Sequence, residues 1–252
     1  MLTILKERMN EILSFSEEDN IVGIFSKGSY NYGLNDDYSD FDVIVLVWDL
    51  ESLNLEKKYM TSKDGNGEFY FQSMKTFILN LKKSDLLTID SILFSKNYFL
   101  NPKYEDIFSL IYEKKEDITY YYPRRLSFYA YLNIANNYKN IYKVAEGAES
   151  IAAKWLSHMI RVCNYLKQYY KYGKIDFSLE KMPDSQQYKR ELLDIKRNKK
   201  NLSLIEIQTA ADKVFHEAKE YVKYIRLKYG DNYDKNIEVF LNNILSLKRR
   251  MF

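Results

Sequence analysis

Two short apolar runs near the start of the chain predict neighbouring β-strands. The first run is IVGIF at residues 21–25, and a Gly-Ser pair follows it at Gly28 and Ser29. The second run lies within DYSDFDVIVLV at residues 37–47, where two aspartates precede an unbroken apolar stretch. Apolar runs of this length, bounded by glycine, serine and aspartate, are typical of buried strands.

The pattern that follows predicts a loop, a third strand, a helix and an edge strand. Residues 49–67 are polar and contain glycines, which is typical of a loop or of a loop with a short helix. A third strand is predicted to begin at Glu68, and the apolar spacing of residues 74–81 predicts a helix directly after it. Residues 86–102 are expected to continue as a helix and to end in a short edge strand at Pro102.

Helical periodicity dominates the rest of the chain. Apolar residues recur at i, i+3 or i+4 and i+7 in successive segments, and Gly173, Pro183 and Gly230 punctuate them. The sequence therefore predicts an α+β fold class. A domain with a small mixed sheet is expected over residues 1–103, followed by an α-helical C-terminal domain over residues 104–252.

Composition narrows the class of protein. Of the 252 residues, 46% are apolar and 16% are aromatic, which is enough for a packed core. The only cysteine, Cys163, has no disulfide partner and fits a reducing compartment, so we expect a cytoplasmic protein. No apolar run approaches the roughly 18–20 residues of a membrane span, and the amphipathic residues 5–13 predict a helix instead of a signal peptide. The net charge of +3 is too small to indicate nucleic acid by itself.

Tyrosine is frequent in this chain, with 24 residues. Many of them fall on predicted helical core faces, where packing explains them. One run differs, because Tyr120, Tyr121 and Tyr122 are followed by Pro123 and by two arginines. Aromatic and basic side chains together can stack nucleic-acid bases and hold phosphates, so this run is a candidate stacking platform as well as a packing element.

Asp40 and Asp42 are the first candidates for chemistry. Residues i and i+2 of a strand point to the same face, so the two carboxylates would lie about 7 Å apart, with Phe41 and Val43 turned into the core. Adjacent carboxylates repel each other, and they are stable with a cation between them or with water around them. Mg²⁺ or Mn²⁺ suits such ligands, because these ions bind one or two carboxylates together with substrate phosphates.

The order of these motifs resembles the signature of the DNA polymerase β-like nucleotidyltransferases. Here the signature reads as a strand, Gly28-Ser29, three residues, Gly33, five residues and Ser39-Asp40-Phe41-Asp42 before an apolar strand. The resemblance implies that Gly28 and Ser29, with Ser39 beside the aspartates, bind the phosphates of a nucleoside triphosphate (NTP) such as ATP. It also implies that Asp40 and Asp42 hold the metals. A glycine-serine turn fits the phosphate role, because its backbone N–H groups and hydroxyl can approach phosphate oxygens closely.

The same resemblance points to Glu68. Enzymes of this superfamily place a third carboxylate on a neighbouring strand, where it completes a second metal site and accepts the proton of the attacking hydroxyl. Glu68 stands at the start of the third predicted strand, although glutamate is one methylene longer than the more usual aspartate. Without the resemblance, a solvated residue at a strand end is the simpler interpretation.

A helix in the second half carries a row of basic residues. In residues 149–166, Lys154, His158 and Arg161 have i, i+4, i+7 spacing beside the predicted core positions. This row resembles one in the predicted nucleotidyltransferases associated with RNA-repair operons of bacteria, archaea and phages, over roughly residues 20–175. The resemblance implies that these three side chains contact the triphosphate. A solvated basic face is the alternative.

Taken together, the resemblance implies an enzyme, a metal-dependent nucleotidyltransferase. It would move a nucleoside monophosphate from an NTP to an acceptor hydroxyl and release pyrophosphate, with RNA, such as a tRNA-like end, as the expected acceptor. One alternative is nucleotidylation of a protein or a small molecule, and another is a non-catalytic nucleotide-binding module. No membrane partner is expected. Two departures from the relatives are Tyr30, where arginine is common, and Asp90, where glutamate is common, and the first leaves the choice of nucleotide open.

Overall fold

Five strands from the N-terminal half form one mixed sheet in the computed structural model of the chain. They are β1 (Ile21–Ser26), β2 (Val43–Val47), β3 (Tyr59–Thr61), β4 (Glu68–Ser73) and β5 (Asn97–Leu100). The order across the sheet is β3-β4-β2-β1-β5, in which β2 and β4 run parallel and the other neighbours run antiparallel. The α+β class with a small mixed sheet is therefore confirmed.

The structure describes part of the chain in residue detail. The described residues are 10–13, 18–32, 34, 40–51, 59–62, 65–179 and 184–247. Gly33 and Ser39 lie outside them, so what the sequence predicts for these two residues stays a prediction.

Alternation along the central strands gives the sheet two apolar faces. One face carries a cluster of buried side chains, namely Ile12, Ile21, Ile24, Phe41, Val43, Val45, Val47, Phe69 and Phe71. On the other face, Phe25 stacks on Phe108 with ring centroids 5.7 Å apart, and Phe108 stacks on Phe77 at 6.0 Å. Because both faces are covered, β2 is buried along its whole length and reads as a continuous apolar run.

The helices follow the predicted periodicity closely. They are α1 (Ser29–Tyr32), α2 (Met74–Lys82), α3 (Leu86–Thr88), α4 (Glu105–Glu113), α5 (Lys115–Tyr120), α6 (Pro123–Ile141), α7 (Glu149–Tyr172), α8 (Ser185–Lys196), α9 (Leu204–Tyr229) and α10 (Lys235–Leu247). Their ends have local causes: the Ser73 hydroxyl accepts the N–H of Thr76 at the start of α2, and Gly173 ends α7 in the left-handed conformation. Within the described residues, none of the helices combines the length and the apolar character needed to cross a bilayer.

Contacts divide the chain into two units. The first unit takes the described residues within 1–83, 87–119 and 234–252, and it contains the sheet with α2, α4 and α10. The second takes residues 84–86 and the described part of 120–233, and in it α6, α7 and α9 pack on one another. The boundary predicted after residue 103 differs from this division, because Phe108 of α4 stacks on the sheet and α10 packs on α2.

Two local predictions need correction. The strand predicted across residues 37–47 begins only at Val43, because the preceding Phe41 N–H pairs with the Asn66 carbonyl in a loop, at 2.9 Å. The loop predicted over residues 49–67 contains β3, which pairs antiparallel with β4. A strand of three residues is too short to show an alternating pattern, and backbone pairing with its neighbour decides its conformation.

Candidate active site

The ends of three strands bring Lys27, Asp42 and Glu68 into a row. Lys27 follows β1, Asp42 precedes β2 and Glu68 begins β4. The backbone N–H of Lys27 donates to the Asp42 carbonyl at 3.0 Å, and the backbone N–H of Glu68 donates to Asp42 Oδ1 at 3.1 Å. Because β2 pairs with β1 on one side and with β4 on the other, residues from three separate stretches of the sequence become neighbours.

The Gly-Ser pair lies against the second aspartate. Gly28 has a φ of +69°, in the left-handed region that favours glycine, and a Cβ at this position would lie 3.3 Å from Asp42 Oδ2. Glycine therefore keeps this side of the Asp42 carboxylate open. Ser29 is half-buried at the first position of α1, and no other described residue forms a hydrogen bond with its hydroxyl.

The Asp42 carboxyl lies in an environment that disfavours its charge. Burial raises the pKa of Asp42, and the charges of Glu68 and Asp40 raise it further. The Glu68 N–H and the Lys27 ammonium act in the opposite direction. A half-buried carboxylate beside other carboxylates gains stability when a cation binds next to it.

Lys27 supplies one such positive charge from the protein itself. Its Nζ lies over the Tyr70 ring, 2.8 Å from the centroid, and burial lowers the pKa of Lys27 to about 8 against the charges of Asp42 and Glu68. The Tyr70 hydroxyl donates to Glu68 Oε2, and burial together with this hydrogen bond raises the pKa of Tyr70. The four side chains thus form one polar cluster at the end of the central strands.

Asp40 differs from Asp42 in its surroundings. Both residues precede β2 in chain without regular structure, but Asp40 is exposed whereas Asp42 is half-buried. Phe41, between them, is buried in the sheet's apolar cluster, as the alternation predicts. The two aspartates therefore point away from the core, with Asp42 nearer to Lys27 and Glu68.

The short helix α1, which begins at Ser29, is anchored by a buried carboxylate. Asp90 is 1% exposed, and its Oδ2 accepts a hydrogen bond from the Tyr32 hydroxyl at 2.6 Å. The Asn31 side-chain amide donates to the Asp90 carbonyl at 3.1 Å. These contacts tie α1 to the π-helical turn Ile89–Leu93, so Asp90 positions the residues around Ser29.

A glycine allows the start of β4 to approach Asp42. A Cβ on Gly67 would overlap the carbonyl oxygen of Phe41, and the neighbouring Asn66 carbonyl accepts the Phe41 N–H. Only a residue without a side chain permits this close approach of two backbones. Gly67 therefore places Glu68 beside Asp42.

The carboxylates of Asp42 and Glu68 fit a divalent cation whose remaining ligands come from a substrate. The Glu68 carboxylate is close enough to raise the pKa of Asp42, and Gly28 leaves room beside the Asp42 carboxylate. Across the described part of the chain, no group of three histidine, cysteine or acidic side chains is arranged as a metal site. Mg²⁺ commonly binds through one or two carboxylates plus phosphate oxygens, so the pair of carboxylates suits that ion better than it suits a cage made by protein alone.

His158 takes part in a hydrogen-bond network inside the helical unit. Its Nε2 lies 2.8 Å from Asn133 Oδ1, and Arg161 Nη2 lies 2.9 Å from its Nδ1. Because a guanidinium only donates, Nδ1 accepts and Nε2–H donates to Asn133. Burial, with the charge of Arg161, lowers the pKa of His158 to about 3, so the ring is neutral at pH 7.

Arg161 and Lys154 differ sharply in burial. Arg161 is 3% exposed and donates to the Tyr165 hydroxyl at 3.0 Å, which in turn donates to the Phe177 carbonyl at 3.1 Å. Lys154 is exposed. The contact of these residues with a triphosphate stays a prediction, and the structure adds a role for Arg161 and His158 in the interior of the helical unit.

Sequence reasoning alone does not point to Lys27, Gly67 or Tyr70. Each of them does lie next to a candidate residue. Lys27 immediately precedes the Gly-Ser pair, Gly67 immediately precedes Glu68, and Tyr70 shares the Glu68 face of β4 at i+2. Lysines before turns and glycines before strands are common, and only the strand pairing distinguishes these residues from others of their kind.

Comparison with known proteins adds little. No protein-family model matches the chain, and no curated protein matches it. Among solved structures, the chain is similar to one described as a nucleotidyltransferase-like protein from Exiguobacterium sibiricum 255-15. The two share 11% identity, the match covers 87% of this chain and 74% of that chain, and the TM-score is 0.34. A likeness at this level carries no inference about fold or activity, and the residues of the site are what bears on function.

Proposed function

We propose that this protein is a metal-dependent nucleotidyltransferase that moves a nucleoside monophosphate from an NTP to an acceptor hydroxyl and releases pyrophosphate. The proposal rests chiefly on one observation: Gly28 and Glu68, from two other stretches of the sequence, both lie against Asp42. A phosphate-binding turn beside adjacent carboxylates is what the transfer of a charged phosphoryl group requires.

The proposed roles follow from chemistry and from the motif. Asp42 and Glu68, with the exposed Asp40, would hold Mg²⁺ or Mn²⁺, while Gly28 and Ser29 would bind the β- and γ-phosphates. The bound ion would supply neutralisation of the charge that develops on the phosphoryl oxygens. The half-burial of Asp42 supports this role, because its charge is disfavoured until a cation binds.

In the proposed reaction the acceptor oxygen forms a bond to the α-phosphorus. The bond from that phosphorus to the α–β bridging oxygen breaks, and pyrophosphate leaves with the electron pair. The acceptor proton passes to the Glu68 carboxylate, whose Oε2 is held by the Tyr70 hydroxyl. Lys27, whose positive charge interacts with the charges of Asp42 and Glu68, limits the repulsion between the two carboxylates.

Further contacts to the NTP are proposed for Ser39, Lys154, His158 and Arg161. Lys154 is exposed, which suits contact with a ligand. Arg161 is 3% exposed and His158 is neutral, so they suit a role in holding α7 in place better than direct charge neutralisation.

The acceptor is proposed to be RNA, such as a tRNA-like end, with a protein or a small molecule as the alternative acceptor. The test is incubation with each NTP labelled on the α-phosphate, Mg²⁺ and a cell extract, with Asp42→Asn as the matched control. Label that enters RNA only with the unaltered protein supports the proposal. Label that follows protein or small molecules corrects the acceptor, and no Asp42-dependent label in any fraction contradicts transfer altogether.

A non-catalytic nucleotide-binding module is a second candidate, because one observation favours it. Adjacent carboxylates are costly without a cation, yet the Lys27 ammonium already offsets part of the charge of Asp42 and Glu68. Melting temperatures with NTP in the presence of Mg²⁺ or of EDTA separate the two candidates. A transferase should gain stability mainly with Mg²⁺, whereas equal shifts in both conditions favour the module.

A further inference from the structure

The helical unit contains a cavity. The residues that line it are far along the chain from Lys27, Asp42 and Glu68. Its volume is about 520 Å³, within the range of small-ligand sites. It is formed where α6 begins and α9 ends, and side chains that line it include Tyr122, Arg124, Arg125, Phe128 and Arg226. All of these residues belong to the same unit.

Positive charge collects around the cavity. Arg124 forms an ion pair with Asp231, and the Arg125 guanidinium lies over the Tyr122 ring, 4.6 Å from the centroid. Arg226 is exposed and forms no hydrogen bond or ion pair between its side chain and another described residue. Asp231 thus offsets the charge of Arg124. The first turn of α6, a helix of 19 residues, adds N–H groups that favour anions.

Aromatic rings accompany these charges. The Phe128 side chain is 50% exposed, and it lies at i+4 from Arg124 on the same face of α6. Tyr122 packs on Tyr233 with ring centroids 5.3 Å apart, and Tyr233 is itself 39% exposed. Of the stacking surface expected around residues 120–125, Tyr121 is only 5% exposed and Tyr120 stacks on Tyr169 with ring centroids 5.3 Å apart. The rings that line the cavity are those of Tyr122 and Phe128.

We propose that this cavity binds single-stranded nucleic acid. Arg124, Arg125 and Arg226 hold phosphates of the backbone, and a base stacks on the open face of Phe128. A basic groove with exposed aromatic rings is the arrangement by which proteins bind single strands without reading their sequence. An acidic peptide would satisfy the guanidinium groups and leave the Phe128 ring uncovered, and a bilayer surface does not enter a concave site.

This binding site goes beyond the proposed transfer reaction, because it concerns affinity for a strand and needs no catalysis. Asp42→Asn separates the two proposals, since it should lose transfer and keep strand binding.

The test is fluorescence anisotropy of the full chain with a labelled oligouridylate of about 12 nucleotides, and with the matching oligothymidylate. Arg226→Gln should weaken binding about tenfold, and it should reduce the slope of log K against log salt by about 0.7, the value for one phosphate contact on a single strand. Phe128→Ala should also weaken binding about tenfold but leave the salt slope unchanged, because stacking releases no counterions. Binding of either oligonucleotide with these two responses to mutation supports the proposal. The ratio of the two dissociation constants shows whether the protein contacts the 2′-hydroxyl.

Two matched controls lie outside the cavity. Arg190→Gln removes an exposed arginine of α8, and Tyr172→Ala removes a ring that is 72% exposed at the end of α7. Both should bind the oligonucleotide as the unaltered protein does, with unchanged melting temperatures in all variants. The proposal is overturned if Arg190→Gln weakens binding as much as Arg226→Gln. It is also overturned if ATP or polyglutamate displaces the oligonucleotide at equal concentration of negative charge.

Discussion

The Tyr32 hydroxyl donates a 2.6 Å hydrogen bond to Asp90 Oδ2 across 58 positions of the chain, in a buried environment. Asn31 adds a hydrogen bond to the Asp90 carbonyl. Because Asn31 and Tyr32 belong to α1, which begins at Ser29, the place of the Gly-Ser pair depends on a carboxylate that would not itself touch the NTP.

Asp90→Ala should therefore lower the free energy of unfolding by about 1–3 kcal/mol, because the Tyr32 hydroxyl loses its acceptor in a buried site. NTP affinity should fall as well, since α1 loses its anchor. Asp90→Asn keeps an oxygen that can accept from Tyr32 and should be milder on both measures. Urea unfolding and NTP titration of the two variants check this, and equal losses for alanine and asparagine would argue against an anchoring role.

Asp42→Asn should lose about 10³-fold or more in nucleotidyl transfer, because it removes a proposed metal ligand. The melting temperature without nucleotide should stay the same or rise, since burial and the neighbouring carboxylates already disfavour the Asp42 charge. Asp19→Asn, which changes an exposed carboxylate paired with Lys103, is the control and should keep full activity. Retained turnover in Asp42→Asn would contradict the proposed metal-dependent mechanism.

Lys27→Met should tighten the binding of Mn²⁺ in the absence of nucleotide by about tenfold or more, because a positive charge beside Asp42 and Glu68 no longer opposes the ion. Electron paramagnetic resonance of free Mn²⁺ measures this without any activity assay. Lys96→Met is the matched control, since the Lys96 ammonium also lies near a tyrosine ring, 5.7 Å from the Tyr98 centroid. Equal Mn²⁺ affinity in both variants would show that the ion does not bind beside Lys27.

Gly67→Ala should lower the free energy of unfolding by about 3 kcal/mol, because its Cβ overlaps the Phe41 carbonyl and the backbone must shift. Gly65→Ala is the matched comparison: Gly65 has a φ of +75° with no atom near a Cβ, so alanine there should cost about 1–2 kcal/mol for conformation alone. Chemical denaturation compares the two. A smaller loss for Gly67→Ala than for Gly65→Ala would show that the loop before β4 can move without cost.

His158 should make the helical unit sensitive to acid. Its pKa falls from 6.5 to about 3 on folding, so between these pH values the unfolded chain binds a proton that the native protein does not. The contribution of His158 to the free energy of unfolding is fully present above about pH 6.5. It falls toward lower pH, by as much as about 1.4 kcal/mol per pH unit. Urea unfolding between pH 7 and pH 4 should show a shallower loss for His158→Gln than for the unaltered protein, with Lys154→Gln as the surface control. Parallel curves for His158→Gln and the unaltered chain would contradict a ring that is neutral in the native protein.

Local patterns in the sequence determined most of the secondary structure. The alternation of Glu68, Phe69, Tyr70 and Phe71 predicts β4, and the structure buries Phe69 and Phe71 on one face. The helical half follows from apolar spacing, because the period of 3.6 residues and the capping residues act within a few positions of the chain. The motif order also predicts a site at Gly28 and Asp42, and the family resemblance adds Glu68 to it.

Only the tertiary structure decided which residues surround these candidates. Lys27 meets Asp42 and Glu68 because β2 pairs antiparallel with β1 and parallel with β4, and strand order of this kind leaves no mark on any single stretch of sequence. Arg161 has the spacing of a surface row, yet it is 3% exposed because Tyr165 and His158 supply acceptors for its guanidinium inside the helical unit. Burial of a charge depends on partners that are brought together by packing, and that is why the sequence alone does not predict the burial of Arg161.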